Sequence, residues 1–210
     1  MRTPGSRTGA GGDGLLGRSH NLPVVAVLGF GGALLHVFNH ALFKGLLFMG
    51  AGAVLHATHE RNMEEMGGLI HVMPWTAVLF LVGCISISAL PPFNGFVSEW
   101  LTYQAFLLSP SLPSPLLNLL IPLGAALLAL TSALAAACFV KAFGVTFLGS
   151  RRGHHHGIVH EADWSMRIGM LLAALSCLGL GVFPTLVIKW MDPLAEELVG
   201  GTIAASASGF

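Results

Sequence analysis

Three titratable residues, His36, His40 and Lys44, follow one another at intervals of four in the apolar segment LLHVFNHALFKGLLFMGAG. On an α-helix a spacing of four advances about 400° per step, so the three polar groups share one slowly drifting face about 12 Å long. Buried lysines and glutamates titrate close to neutral pH, and histidine does so without burial. A proton can step along a row of such groups. We therefore predict a proton relay.

A second candidate lies beyond the motif PPFNGF, where Pro91, Pro92 and Gly95 cannot continue a helix although apolar sequence resumes at once. Irregular backbone at membrane depth is tolerated only where protein or a water-filled cavity surrounds it. The motif therefore predicts a discontinuous helix, broken at residues 91–96. Glu99 follows one turn later, and we predict that it completes the relay.

The remaining polar residues of the apolar segments are weaker candidates. Lys141 lies late in its segment, where snorkelling to the interface competes with a role in the relay. His56 and His71 lie near the ends of spans, where a hydrogen bond to a neighbouring helix competes with the same role. The histidines at 154–156 favour a solvated loop over metal binding. No metal site is predicted, and no cofactor either, since the chain has neither a redox ligand set nor a nucleotide-binding loop.

The composition identifies the environment of these groups. The 210 residues are 54% hydrophobic and only 10% charged, and the mean hydropathy is +0.75. A soluble domain usually carries about 25% charged residues. A net charge of zero gives no indication of nucleic-acid binding. We predict an all-α, polytopic transmembrane helix bundle with about five spans. The predicted spans are residues 24–55, residues 75–90, the discontinuous element that is broken at 91–96 and ends at 108, residues 116–148 and residues 168–190.

Three regions divide the chain. Residues 1–21 are rich in Gly and Arg, lack the features of a signal peptide and are predicted to be a disordered leader. Residues 22–192 form the membrane domain, and 193–210 are predicted to be a flexible tail. The positive-inside pattern favours a cytoplasmic N-terminus, because this choice gathers most basic residues on one side (Arg2, Arg7, Arg18, Arg151, Arg152 and Arg167) and leaves Arg61 and Lys189 opposite.

The motifs HVFNHALFKGLLFMGAG, MGGLIHVMPW and ISALPPFNGFVSEW, in this order and spacing, resemble the antiporter-like proton-translocating membrane subunits. That superfamily includes subunits of respiratory complex I, membrane-bound hydrogenases and Mrp-type sodium/proton antiporters. The segment ALPPFNGFVSEWLTYQAF most resembles component B of the hydrogenase-4 and formate hydrogenlyase branch. The family fold has fourteen or more helices in two inverted five-helix repeats, each containing a broken helix. The resemblance covers roughly the tenth to fourteenth helices.

The resemblance implies roles for the candidate residues. His40 matches the histidine at the centre of the family's polar axis, and His36 and Lys44 match its neighbours. Glu99 matches the lysine or glutamate of the outward half-channel. The family's first repeat supplies a glutamate–lysine pair that has no counterpart here, and the second repeat lacks its first helix. We therefore expect a truncated or split family member.

The resemblance implies a non-redox, proton-conducting subunit of an inner-membrane oxidoreductase complex related to hydrogenase-4 and NADH–quinone oxidoreductase. Its expected partners are other membrane subunits, a peripheral electron-transfer arm, protons and the lipid bilayer. One alternative is a subunit of a sodium/proton antiporter, which a sodium dependence would favour. Another is a haem-binding, cytochrome b-like electron carrier, although His36 and His40 on one helix cannot ligate a haem from opposite faces. A structural scaffold is the third.

Overall fold

The computed structural model describes residues 12–108, 114–150 and 159–207, and the surroundings of side chains from Pro23 onward. Every regular element in these ranges is helical, which confirms the all-α prediction. Three helical stretches are long and apolar enough to cross a membrane, Pro23–Thr58, Pro115–Leu148 and Trp164–Val182, and Pro74–Ile87 is a shorter apolar helix. The helices are α1 (Gly12–Thr58), α2 (Pro74–Ile87), α3 (Asn94–Leu108), α4 (Pro115–Phe143), α5 (Trp164–Val182), α6 (Pro184–Val199) and α7 (Ile203–Ser206).

Helix α1 is the central element of the bundle and packs against α2, α3, α5, α6 and α7. It continues without interruption through Gly31 and Gly32. A Cβ atom at Gly32 would lie 2.9 Å from the Thr102 hydroxyl and 3.2 Å from the Thr102 amide nitrogen. The missing side chain at this position therefore lets α3 approach α1 closely.

Helices α2 and α3 are two halves of one passage along α1. Phe80 contacts α1 at Gly50, and Thr102 contacts it at Gly32. The contact therefore moves steadily along α1 in one direction as the chain passes from α2 into α3. Their 14 and 15 residues make each helix about 22 Å long, shorter than a hydrocarbon core of about 30 Å. The predicted discontinuous element is present. However, the segments predicted as the second and third spans together form a single passage, α2–α3.

Helix α4 returns in the direction of α1, and a π-helical turn, Gly144–Leu148, continues it. The last passage is also divided, because α5 ends at Val182 and Pro184 begins α6. Proline lacks the N–H group that would continue the helix, so it starts a new one. The sequence predicted a single span here, with this proline near its end. The bundle thus consists of α1, α2–α3, α4 and α5–α6.

The two ends of the bundle carry different segments from those that the loop charges predicted. At one end, called here the link end, the polar link after Thr58 meets the residues that precede α5. Arg61 and Ser165 line one cavity there, and the Glu161 carboxylate accepts a hydrogen bond from the Trp75 amide at 2.9 Å. Arg61 and Arg167 therefore lie at the same end. The predicted assignment of these arginines to opposite sides is wrong, because it counted α2 and α3 as separate crossings.

The boundaries of the membrane domain also differ from the prediction. Helix α1 begins at Gly12, inside the predicted leader, and residues 1–11 lie outside the described residues. The predicted flexible tail from 193 is helical to Val199 and again in α7. The Asp192 carboxylate accepts the Ile203 amide hydrogen at 2.7 Å, and Ile203 is 1% exposed among apolar residues of α1 and α3. This cap and this burial fix the segment against the bundle.

Candidate functional site

A reciprocal pair of amides joins the middle of α1 to the break between α2 and α3. The Asn39 side-chain amide donates to the backbone carbonyl of Asn94 at 2.8 Å, and the Asn94 side-chain amide donates to the Asn39 carboxamide oxygen at 3.1 Å. Both residues are buried. Each neutral hydrogen bond contributes about 0.5–1.5 kcal/mol, so this pair holds the first turn of α3 in a fixed position beside α1.

The titratable row on α1 begins next to this pair. Nδ1 of His36 lies 3.1 Å from the Ser98 hydroxyl, and Ser98 itself donates to the Gly95 carbonyl at 3.1 Å. The ring centroids of His36 and His40 are 6.0 Å apart. The structure therefore brings the first two members of the predicted relay together. It also adds a hydroxyl, that of Ser98 on α3, next to the first member, His36.

The other two members of the row, His40 and Lys44, lie on a face of α1 that the described chain does not cover. His40 is exposed and Lys44 is half-buried. The Lys44 ammonium lies 5.5 Å from the centre of the Phe48 ring, one turn further along α1. Val37 and Phe48, on the same face, are 69% and 70% exposed. These two candidates, His40 and Lys44, thus lie among apolar side chains.

Glu99 lies on a different side of α3 from Ser98. Its carboxylate accepts a hydrogen bond from the Ser132 hydroxyl of α4 at 2.8 Å, while Ser132 also lies 3.0 Å from the carbonyl of Leu128. Glu99 is half-buried between α3 and α4. The structure therefore connects Glu99 to α4, whereas the α1 row meets α3 at Ser98.

The other predicted residues lie away from this contact. Lys141 is exposed in the last turn of α4. His56, in the last turn of α1, and His71, in a 3-10 turn (Leu69–His71), are exposed at the link end. Within the described ranges, no group of three or more His, Cys, Asp or Glu side chains is placed to hold a metal ion.

The break predicted at residues 91–96 is present but lies at 88–93, because α2 ends at Ile87 and residues 94–96 already belong to α3. Pro91 and Pro92 lie in the turn between α2 and α3 and are exposed, and Gly95 is buried in the first turn of α3. A Cβ atom at Gly95 would lie 1.9 Å from the carbonyl oxygen of Ser86. Only glycine fits there, because the backbone of α2 passes directly over this position.

Four residues of the site escaped the sequence-based reasoning. A polar residue inside an apolar run was the available signal for Asn39, and the position directly after the prolines was the signal for Asn94. Ser98 and Ser132 carry weaker signals, because serine is common in membrane helices, where its hydroxyl bonds to the preceding turn. Their importance follows only from what they contact.

The arrangement suits the movement of protons between neighbouring groups. Imidazole passes protons through either ring nitrogen, and a hydroxyl both donates and accepts. The carboxamide oxygen of Asn94 is buried and accepts no hydrogen bond from the described residues. This oxygen, within about one helical turn of Ser98, can therefore accept a hydrogen bond from a group that carries a proton.

Comparison with known proteins gives a consistent result. The family model described as "NADH:quinone oxidoreductase/Mrp antiporter, TM" matches residues 22–119. Hydrogenase-4 component B of Escherichia coli is 44% identical over 199 residues, which cover 93% of this chain and 29% of that protein. A Na(+)/H(+) antiporter subunit of Alkalihalophilus pseudofirmus is 31% identical over 179 residues, which cover 85% of this chain and 22% of that protein.

A solved structure supports the same relationship. A chain of the membrane-bound sulfane sulfur reductase, an archaeal respiratory membrane complex, superposes with a TM-score of 0.63 and 29% identity over 80% of this chain and 26% of its own length. The present chain therefore spans less than a third of each of these relatives.

Proposed function

Because this chain belongs to the NADH:quinone oxidoreductase/Mrp antiporter membrane family, we propose that it conducts protons as a membrane subunit of a hydrogenase-4-like oxidoreductase complex. His36, His40 and Lys44 carry protons along α1, and Glu99 carries them onward between α3 and α4. The chain supplies proton conduction, while redox centres lie in other subunits, including a peripheral electron-transfer arm. Its location is the inner membrane.

The observation that carries this proposal is the contact between His36 and Ser98. A histidine within hydrogen-bond distance of a hydroxyl at a helix break is a suitable point for a proton to leave α1 and reach α3. Discontinuous helices form the ion sites of many transporters, since their free backbone groups lie at membrane depth. A lysine and a histidine on an apolar face are costly, which favours function over packing as the reason for their presence.

Proton uptake tests the proposal. Inverted vesicles from cells that express this chain with its whole operon are compared for Lys44→Ala, Glu99→Gln and the parent. We expect both variants to assemble and to lose substrate-driven proton uptake, because each removes one titratable group from the path. Lys189→Ala and Glu196→Gln remove the same charges from exposed positions of α6 and serve as matched controls.

Unchanged uptake in both assembled variants would contradict the relay and favour a structural scaffold. The similarity to the antiporter protein of Alkalihalophilus pseudofirmus supports one second candidate, a sodium/proton antiporter subunit. Uptake in these vesicles that requires sodium, and that persists without electron-transfer substrate, would support the antiporter over the oxidoreductase complex.

A further inference from the structure

A cavity outside the relay lies between α1 and α5 at the link end. Its volume is about 630 Å³, within the range of about 300–1,000 Å³ that small-ligand sites occupy. One part is polar, lined by His56, His59, Arg61 and Ser165. The other part is apolar and runs along the two helices, lined by Met49, Gly52, Leu55, Met166 and Gly169.

Two tryptophans indicate the depth of this cavity in the bilayer. Trp75 lies in the first turn of α2 and Trp164 begins α5, both at the link end, and they are 60% and 73% exposed. Exposed tryptophans concentrate at the boundary between headgroups and acyl chains. The polar part of the cavity therefore lies at headgroup level. Met49, nine residues before Thr58 on α1, lies about 14 Å deeper along the helix, within the acyl-chain region.

The charges around the polar part favour an anion. Arg61 carries a permanent positive charge, and two imidazoles and a serine hydroxyl add hydrogen-bond donors. Two acids of the adjoining segments, Glu60 and Glu161, are engaged by backbone N–H groups. Glu60 accepts the amide hydrogens of Arg61 and Asn62 at 2.8 Å. Glu161 accepts those of Trp75 and Ala162. Asp163 lines a neighbouring cavity that shares His56 and His59 with this one, and no acid among the described residues lines the lipid-sized cavity itself.

The apolar part owes its width to missing side chains. A Cβ atom at Gly52 would have nothing within 4 Å, and one at Gly169 would meet only the Met49 sulfur at 3.4 Å. An acyl chain can therefore lie along α1 and α5 where larger residues would fill the groove. Met49 and Leu55, at 39% and 38% exposure, supply the apolar contacts.

We propose that this cavity binds an anionic phospholipid, with its phosphate at Arg61, His59 and Ser165 and an acyl chain along Gly52 and Gly169. The charge complementarity and the polar-to-apolar gradient at the membrane boundary both fit this occupant. Basic pockets between membrane helices bind lipid headgroups in the same way. The site is independent of proton conduction.

Native mass spectrometry of the purified full chain tests the site, with phosphatidylglycerol and phosphatidylcholine as probes. We expect phosphatidylglycerol to bind preferentially. Arg61→Gln should weaken its binding about fivefold, the effect of one basic residue near a headgroup. Gly52→Leu should abolish binding of both lipids, because the new side chain fills the groove.

Lys189→Gln removes a charge elsewhere, and Gly45→Leu makes the same change on α1 outside the cavity, at a glycine that also has open space around it. Both controls should bind phosphatidylglycerol like the parent, and inorganic phosphate at millimolar concentration should not displace it. Equal binding of the two lipids, or equal effects of Arg61→Gln and Lys189→Gln, would overturn the proposal. Cross-linking of a Gly52→Cys variant to another polypeptide in the assembled complex would also overturn it, since a protein helix would then fill the groove.

Discussion

At the scale of single residues, the polar side chains of the site have two distinct tasks. Asn39 and Asn94 form a closed, buried pair that fixes the distance between α1 and α3. The Ser98 hydroxyl accepts from the Nδ1–H of His36 while it donates to the Gly95 carbonyl, and in the other histidine tautomer it turns to donate to Nδ1 instead. The amides therefore hold the geometry, and the imidazole and hydroxyl can move a proton within it.

Removing the Asn39 amide should destabilise the bundle. Asn39→Leu has a similar size but leaves the carbonyl and side-chain amide of Asn94 buried without this partner. We expect a loss of about 1–3 kcal/mol in the free energy of unfolding, the usual cost of a buried unsatisfied polar group. Unfolding of the purified chain in mixed micelles measures it. Thr131→Val removes an exposed hydroxyl that bonds only its own helix and should change little. Equal effects of the two variants would contradict the role of the pair.

Removing the Ser98 hydroxyl should impair proton transfer without unfolding the chain. Ser98→Ala is expected to reduce substrate-driven proton uptake about 100-fold, at the lower end of what a positioned proton-transfer group contributes. Ser98→Thr retains the hydroxyl and should retain most of the uptake. Helix content by circular dichroism should be the same in both. If the alanine and threonine variants conduct equally, the proton does not pass this hydroxyl.

At the scale of helices, the break is held by backbone contacts from two directions. Gly95 of α3 lies against the end of α2, and Gly181 of α5 lies against the turn itself. A Cβ atom at Gly181 would lie 2.0 Å from the carbonyl oxygen of Pro92. A backbone oxygen cannot rotate away as a side chain can. The end of α5 therefore fixes the position of the turn, and the second interruption, at Pro184, follows directly after this contact.

Gly181→Ala should therefore be destabilising out of proportion to its size. Inserting a methyl group against fixed backbone costs about 1–3 kcal/mol, and we expect a lower thermal unfolding temperature in detergent. Gly179→Ala is the matched control, because it lies on the same helix with nothing within 4 Å of the added atom. It should be neutral or slightly stabilising, since alanine favours helix over glycine. Similar unfolding temperatures for the two variants would show that α5 does not support the break.

At the scale of the whole molecule, the bundle has four passages, two of them discontinuous. The link after α1 and the residues before α5 lie at one end, and α7 packs near Gly31 of α1 at the other. The polar contact between α1 and α3 lies between these ends. Because α4 has no buried residue among those described, a large part of its surface and of the His40 face of α1 remains available to lipid or to neighbouring polypeptide.

Labelling of single cysteines checks this topology. In a variant in which serine replaces Cys84, Cys138 and Cys177, a cysteine at Asn62 and one at His160 should react with a membrane-impermeant reagent from the same side of the membrane. A cysteine at Ala204, which is exposed in α7, should react from the other side. Labelling of positions 62 and 160 from opposite sides would contradict the four-passage arrangement.

The sequence by itself determined the class of the protein, the helical bundle, the break and the family. These features depend on local quantities. Low charge and long apolar segments indicate a membrane, the consecutive prolines Pro91 and Pro92 interrupt a helix, and a spacing of four aligns His36, His40 and Lys44 on any helix. The motifs around these residues carry the resemblance that the comparisons confirm.

Only the tertiary structure decided which passages pair and which polar groups meet. Whether α2 and α3 form one crossing or two depends on their direction along α1, and that direction is fixed by packing at Gly50, Gly32 and the Asn39–Asn94 pair. The loop charges placed Arg61 and Arg167 on opposite sides of the membrane because α2 and α3 were counted as two crossings instead of one. Ser98 faces α1, whereas the adjacent Glu99 faces α4. Adjacent residues on a helix point about 100° apart. What each of them contacts is decided only by the helices that pack around α3.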